Sequence, residues 1–170
     1  MKLLKEISEF TLGIGDAEKL NSNYELRKSA RAILRNKDGD IAIQYLQNYT
    51  FHKLPGGGVE IGEDLKEAVI REVEEEVGCK CEISDTLGMV IEYRNKYNLL
   101  HISYAFVAEI IGEVGTPKLE KGEIEEGQIT IWMPAEEALK KMEIDQPKKY
   151  EGFFILEREK SFLKEYLKIN

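Results

Sequence analysis

Between Arg71 and Gly78 the sequence runs Arg-Glu-Val-Glu-Glu-Glu-Val-Gly, and four glutamates in so short a stretch limit what the surrounding chain can be. Leu65, Ala68, Val69, Val73 and Val77 recur at helical spacing just here, so the acids lie on an amphipathic helix that Gly78 stops. On a wheel of about 100° per residue with Leu65 at zero, Val69 falls near 40°, Val73 near 80° and Ala68 near 300°. Glu72 then lies near 340° and Glu76 near 20°, inside the apolar stripe, at the same step of about 100°. Glu75 sits at its edge near 280° and Arg71 beyond it near 240°, whereas Glu67 and Glu74, near 200° and about 180°, face water.

Two carboxylates turned inward, with a third beside them, need positive charge. A buried, unpaired carboxylate costs several kcal/mol or takes a proton, and one arginine cannot neutralise three. Hard divalent cations can, and an oxygen-rich cluster suits magnesium or manganese. The alternative is a structural salt-bridge network. Leu54-Pro55-Gly56-Gly57-Gly58 comes shortly before the helix. Gly57 and Gly58 let the backbone approach a ligand, and a carbonyl at this bend, such as that of Gly56, is a candidate to complete a metal shell.

The rest of the chain gives the fold class. Ala30, Ala32 and Leu34 alternate with Arg31, Ile33 and Arg35, turn residues fill Asn36 to Asp40, and Ile41 to Leu46 reads as a returning strand. A loop follows from Asn48 to His52. Ile83, Leu87 to Glu92, His101 to Ile111 and Ile129 to Met133 read as strands, Pro134 opens a helix through Met142, and a last helix runs from about Phe153 to Leu167. Strands and helices interleave, which predicts an α/β or α+β fold with a mixed sheet. Residues 1–170 are expected to form a single domain. Residues 1–23 are read as an N-terminal extension in which Ile7, Phe10, Leu12 and Ile14 are spaced for an extra strand and Gly13 to Asp16 for a turn.

Composition excludes some functions. With net charge −8 and no block of Lys or Arg, duplex nucleic acid is not an expected partner. No apolar run is long enough to span a bilayer, so no membrane partner is expected either. Cys79 and Cys81 are too few for a zinc set or a disulfide framework; they are read as small buried hydrophobes in a chain of the reducing cytoplasm.

Gly57, five residues, Glu63, seven residues, Arg71-Glu72-Val73, one residue, Glu75-Glu76, one residue, Gly78 and apolar Cys79 together resemble the Nudix box, with its specified positions filled. The resemblance implies a mixed curved sheet sandwiched between helices, and a hydrolase that uses Mg2+ or Mn2+ to cleave a diphosphate bond in a nucleotide-like small molecule. It implies Glu72, Glu75 and Glu76 as metal ligands, Arg71 as the residue orienting them, and Glu63 as a brace or further ligand. Among MutT-like members another glutamate, before a Trp-containing strand, assists; Glu126 ahead of Trp132 is similar, with Glu123 and Glu125 nearby. The proton acceptor is left open among Glu75, Glu76 and Glu126. Many such relatives pair as homodimers.

Substrate signals are weaker. Tyr97 resembles a tyrosine found in members that split dinucleoside polyphosphates, and Tyr93 to Tyr97 offers aromatic and cationic groups for a base or phosphate; an ordinary surface hairpin is the plainer reading. No proline occupies the offset of ADP-ribose specialists. The leading expectation is a nucleoside di- or triphosphate derivative, ahead of a dinucleoside polyphosphate, a nucleotide sugar or capped RNA. A non-catalytic nucleotide sensor is the competing class, which the intact Glu75-Glu76 pair disfavours. His52 and His101 are read as structural, and Trp132 as core.

Overall fold

The computed structural model describes residues 1–15 and 23–169. Among them seven strands form one mixed sheet: β1 (Leu3–Ser8), β2 (Glu25–Arg35), β3 (Ile41–Leu46), β4 (Phe51–Lys53), β5 (Lys80–Arg94), β6 (Leu99–Ile111) and β7 (Gln128–Met133). Four α-helices accompany them: α1 (Leu65–Val77), α2 (Lys121–Glu126), α3 (Ala135–Ile144) and α4 (Tyr150–Ile169). The strand order is β1-β5-β6-β2-β3-β4, with β7 also on β3. β1 runs parallel to β5 and β2 parallel to β6, while the other pairs are antiparallel.

Alternation along β2 sends its side chains to two cores. Ala30, Ala32 and Leu34 meet Ala68, Val69, Val73 and Val77 of α1 together with Cys79 and Cys81. Ile33 instead joins Ile7, Ile41, Val90, Met142, Phe154 and Phe162 on the face covered by α3 and α4. The sheet is thus sandwiched between helices, as the Nudix-box resemblance implies.

What positions the site is a split in the sheet. β2 meets β3 at the pair Arg35↔Ile41, beside a turn in which Asn36 Oδ1 accepts from the amides of Asp38 and Asp40 at 2.9 and 3.0 Å. Upstream, the edge of β2 is taken over by the glycine loop. The amides of Ala30 and Ala32 donate to the carbonyls of Gly57 and Pro55 at 3.0 Å, and that of Val59 donates to Lys28 at 3.1 Å. The loop is therefore fixed in the sheet immediately before α1 begins. Asp64 caps α1, accepting from the amides of Lys66 and Glu67 at 2.7 and 3.0 Å, while Glu67 accepts from the Asp64 amide at 3.1 Å.

Some elements differ from the sequence reading. β5 is one strand of 15 residues rather than two pieces, because its pairing with β6 shifts between Ile83 and Asp85 and again between Thr86 and Gly88, which breaks the alternation. β4 lies where a loop was expected. Ile7 is buried in β1, but Phe10, Leu12 and Ile14 fall beyond Ser8, where the amides of Leu12 and Ile14 turn back to the carbonyls of Ser8 and Glu9. Asp16 lies outside the described residues. Trp132, expected in the core, is only partly buried. No described helix is long and apolar enough to cross a membrane.

Candidate metal and phosphate site

The inward carboxylates are where the wheel puts them. Glu76 is 1% exposed and Glu72 8%, Glu75 is half-buried, and Glu67 and Glu74 face solvent. Gly57 leaves room for the Glu72 carboxylate: a Cβ there would lie 2.3 Å from Glu72 Oε1 and would displace it. At Gly56, φ is +130° and a Cβ would lie 2.2 Å from the Ala30 carbonyl oxygen, so both conformation and space demand glycine.

Glu76 is held as an anion. Burial alone would raise its pKa, but Lys53, the amide of Gly56, Arg31 and Gln128 outweigh it and keep the carboxyl below the usual carboxylate range. Lys53 Nζ and Gln128 Nε2 both donate to Oε1, at 3.1 and 3.0 Å. Glu72 is pushed upward by burial and by the charge of Glu76, against the pull of Arg71.

Arg71 gathers the remaining acids. Its Nε and Nη2 donate to Glu63 at 2.9 and 3.1 Å, Nη1 donates to Glu72 at 2.9 Å and to Glu75 at 3.1 Å, and Nη2 also reaches the Gly58 carbonyl at 2.9 Å. The guanidinium accordingly holds Glu63 below its ordinary pKa. Glu63 in turn accepts from the amide of Glu60 at 3.0 Å, which ties the loop to the helix.

A third carboxylate comes from outside α1. Glu123 of α2 joins Glu72 and Glu76, with ligand oxygens all within 4.8 Å of one another. Burial and the nearby charge of Glu76 push the Glu123 carboxyl up to about 7. The donor set fits a hard divalent cation: it is all oxygen, it comes from two elements, and it carries charge that the protein only partly balances. These acids open into a cavity of about 420 Å3 walled by Gly56 to Gly58, Arg27, Arg31 and Lys53.

The other expected residues are distributed around this centre. Glu75 lies on the outer flank of α1, in a separate depression with Glu63, Glu67 and Lys118, and touches the cluster through Arg71. Glu126 lines the acidic cavity without belonging to the three-carboxylate group. Tyr97 is on an exposed 3-10 turn, packs edge-on against Tyr150 and donates to Glu151; it does not line the acidic cavity. His52 Nδ1 lies 2.9 Å from Asp145 Oδ2, and His101 is buried. Glu123, Arg31 and Lys53 were not singled out from the sequence. Glu123 Oε2 accepts from the Glu120 amide at 2.7 Å across the first turn of α2, but glutamate is not a usual helix-capping residue, so the pair gave no clear signal in the sequence. Arg31 alternates like Arg35 on the same face of β2, so nothing in the sequence set it apart.

The sequence pattern of the NUDIX domain family matches residues 25–153, which include the glycine loop, α1 and α2. The chain belongs to this family. A nudix hydrolase relative from Caenorhabditis elegans is 34% identical over 97 residues, 54% of this chain and 24% of that protein. An ADP-ribose pyrophosphatase of Methanocaldococcus jannaschii is 35% identical over 79 residues, 45% of this chain and 47% of that protein. The chain thus spans about a quarter and about half of these two relatives. The NUDIX fold is seen again in the MutT protein of Methanosarcina mazei Go1, with TM-score 0.57 and 22% identity, covering 86% of this chain and 99% of that one.

Proposed function

We propose that this NUDIX protein is a pyrophosphohydrolase that needs Mg2+ or Mn2+ and cleaves the diphosphate of a nucleoside di- or triphosphate derivative by attack of water on phosphorus. The observation that carries the proposal is the convergence of Glu72, Glu76 and Glu123 at the floor of an open cavity whose other wall is glycine backbone and cationic side chains. The partial match to an ADP-ribose pyrophosphatase supports a nucleoside diphosphate linked to another group.

Glu72, Glu76 and Glu123 would hold the cation, which when bound neutralises phosphate oxygens and acidifies water. Glu75, which shares Arg71 Nη1 with Glu72, is the next acid within reach. Arg71 keeps Glu72 and Glu75 oriented and, through Glu63, fixes the loop. Gly56, Gly57 and Gly58 bring backbone close to the phosphates, with the Gly56 carbonyl as a candidate donor. Lys53 and Arg27 would offset phosphate charge, and Glu126 at the cavity wall would take a proton from water. Tyr97, which donates to Glu151 outside the acidic cavity, would act on substrate only indirectly.

A panel of nucleoside triphosphates, nucleotide sugars, dinucleoside polyphosphates and capped RNA, incubated with Mg2+ or Mn2+ and resolved by chromatography, tests this reading. A nucleoside monophosphate should appear among the products. Survival of every compound with both metals would favour a nucleotide-binding module without activity.

A further inference from the structure

α2 carries Glu123 to the acidic cluster with little apolar packing to hold it there. It is six residues long, none of its side chains is buried, and Ile124, its one large apolar residue, is 63% exposed. A helix so short does not persist on its own. The chain enters α2 from a loop pinned to the end of α1, where the amides of Gly115 and Lys118 donate to the carbonyls of Gly78 and Glu75 at 2.8 and 2.7 Å. It leaves at Gln128, which pairs with Leu46 of β3. These ties fix where α2 begins and ends. They do not fix how it is turned about its own axis, and with side chains about 100° apart a modest roll swings Glu123 away from Glu72 and Glu76.

The roll is set at the two ends. In the first turn Glu123 itself closes the helix, since its Oε2 accepts from the Glu120 amide. At the other end, the carbonyls that a helix leaves without donors of its own are met by the turn between β3 and β4. Asn48 donates twice, from its amide to the Glu126 carbonyl at 3.1 Å and from Nδ2 to the Glu125 carbonyl at 2.8 Å. The amide of Gln47 adds a bond to the Gly127 carbonyl at 3.3 Å. Gly127 ends α2 at φ +67°, and a Cβ there would come within 3.2 Å of Gln47 Cβ, so the helix end and the turn are in close contact.

We infer that Asn48 is a positioning residue for the cation centre: by capping α2 from the neighbouring turn, it sets the roll of that helix and holds the Glu123 carboxylate beside Glu72 and Glu76. The inference rests on the reading of Glu123 as a cation ligand and adds the residue that keeps it in place. Asn48 is exposed and does not line the acidic cavity, so its influence on a cation passes through α2.

A double-mutant cycle on Mn2+ affinity, measured by calorimetry, tests it. Glu123→Gln should weaken Mn2+ binding by about tenfold or more. Asn48→Ala, and Asn48→Leu, which keeps the bulk without the donor, should each weaken it by about threefold or more, the scale of one hydrogen bond. Thermal melts of both should show an intact fold. In the Glu123→Gln background neither Asn48 substitution should weaken binding further. Asn48 variants that bind Mn2+ as the wild type does, while Glu123→Gln does not, overturn the inference alone. So does an equal loss from the Asn48 substitutions in both backgrounds, which would place their effect elsewhere than Glu123. A wild type that takes up no Mn2+, or a Glu123→Gln variant that binds it as tightly as the parent, removes the ligand reading and the inference with it. A wild type that follows the expected pattern but hydrolyses nothing would retain the inference and sink the proposed activity.

Discussion

Lys53 Nζ donates to Glu76 Oε1 across 3.1 Å, joining β4 to the inward face of α1 with both side chains largely out of water. Removing one partner of such a pair leaves the other desolvated and unmatched. Lys53→Met should therefore destabilise the protein by about 1–3 kcal/mol in chelator. Mn2+ should restore part of that loss by supplying the missing charge to Glu76. Melting curves with and without the metal check this; equal losses in both conditions would mean that no cation shares the site.

Glu72, Glu74 and Glu76 occupy one helix and differ in the direction they face. Glu72→Gln and Glu76→Gln should each slow hydrolysis by roughly 10²–10³-fold. Glu74→Gln should leave rate unchanged and stability within about 0.5 kcal/mol. Steady-state rates of the three variants on one substrate decide the matter, and a comparable loss at Glu74 would remove the distinction between inward and outward acids.

Arg71 serves three carboxylates and a carbonyl through a planar fork. Lysine keeps the charge but loses that geometry. Arg71→Lys should weaken apparent metal affinity by about 10–100-fold, as loss of ligand support does elsewhere. Metal-activation curves measure the shift; an unchanged half-activating concentration would confine Arg71 to holding the loop.

Stability should depend on pH through a cluster away from the site. His101 is buried, with Nε2 2.9 Å from Ser29 Oγ and Nδ1 3.3 Å from Glu92 Oε2, and burial lowers its pKa from 6.5 to about 4. On acidification the unfolded chain takes up this proton near 6.5 and the folded chain only near 4, so stability is complete above 6.5 and declines between those values. Glu92 acts in the same sense at lower pH. Burial would raise its pKa, but Arg158, His101 and Arg94 together hold it far below 4.5, so its contribution fades as pH falls past 4.5. Denaturant melts from pH 8 to pH 4 should show this decline, and His101→Gln should flatten its upper part; an unaltered profile in that variant would exclude His101.

The direction of each acid on α1 was legible because helical period and apolar stripe coincide there, and the alternation of Ala30 to Arg35 likewise showed a strand with two distinct faces. Glu123 was harder to see. α2 is only six residues long with no apolar stripe, and its place beside Glu76 depends on the long-range pairing of β7 with β3. Arg31 looked like an ordinary strand arginine; its burial comes from α4, whose Glu159 lies 3.6 Å from its Nε. The bulges in β5 erased its periodicity for the same kind of reason, since register with β6 is set across the sheet.

Titration of Mn2+ into the wild-type protein and into Glu72→Gln and Glu76→Gln, followed by calorimetry in the absence of nucleotide, is the most direct test of the three-carboxylate centre. Saturable binding to the wild type, weakened more than tenfold in each variant while the fold is retained, is the expected result. A wild type that takes up no ion at millimolar Mn2+, or variants that bind as tightly as the parent, would contradict it.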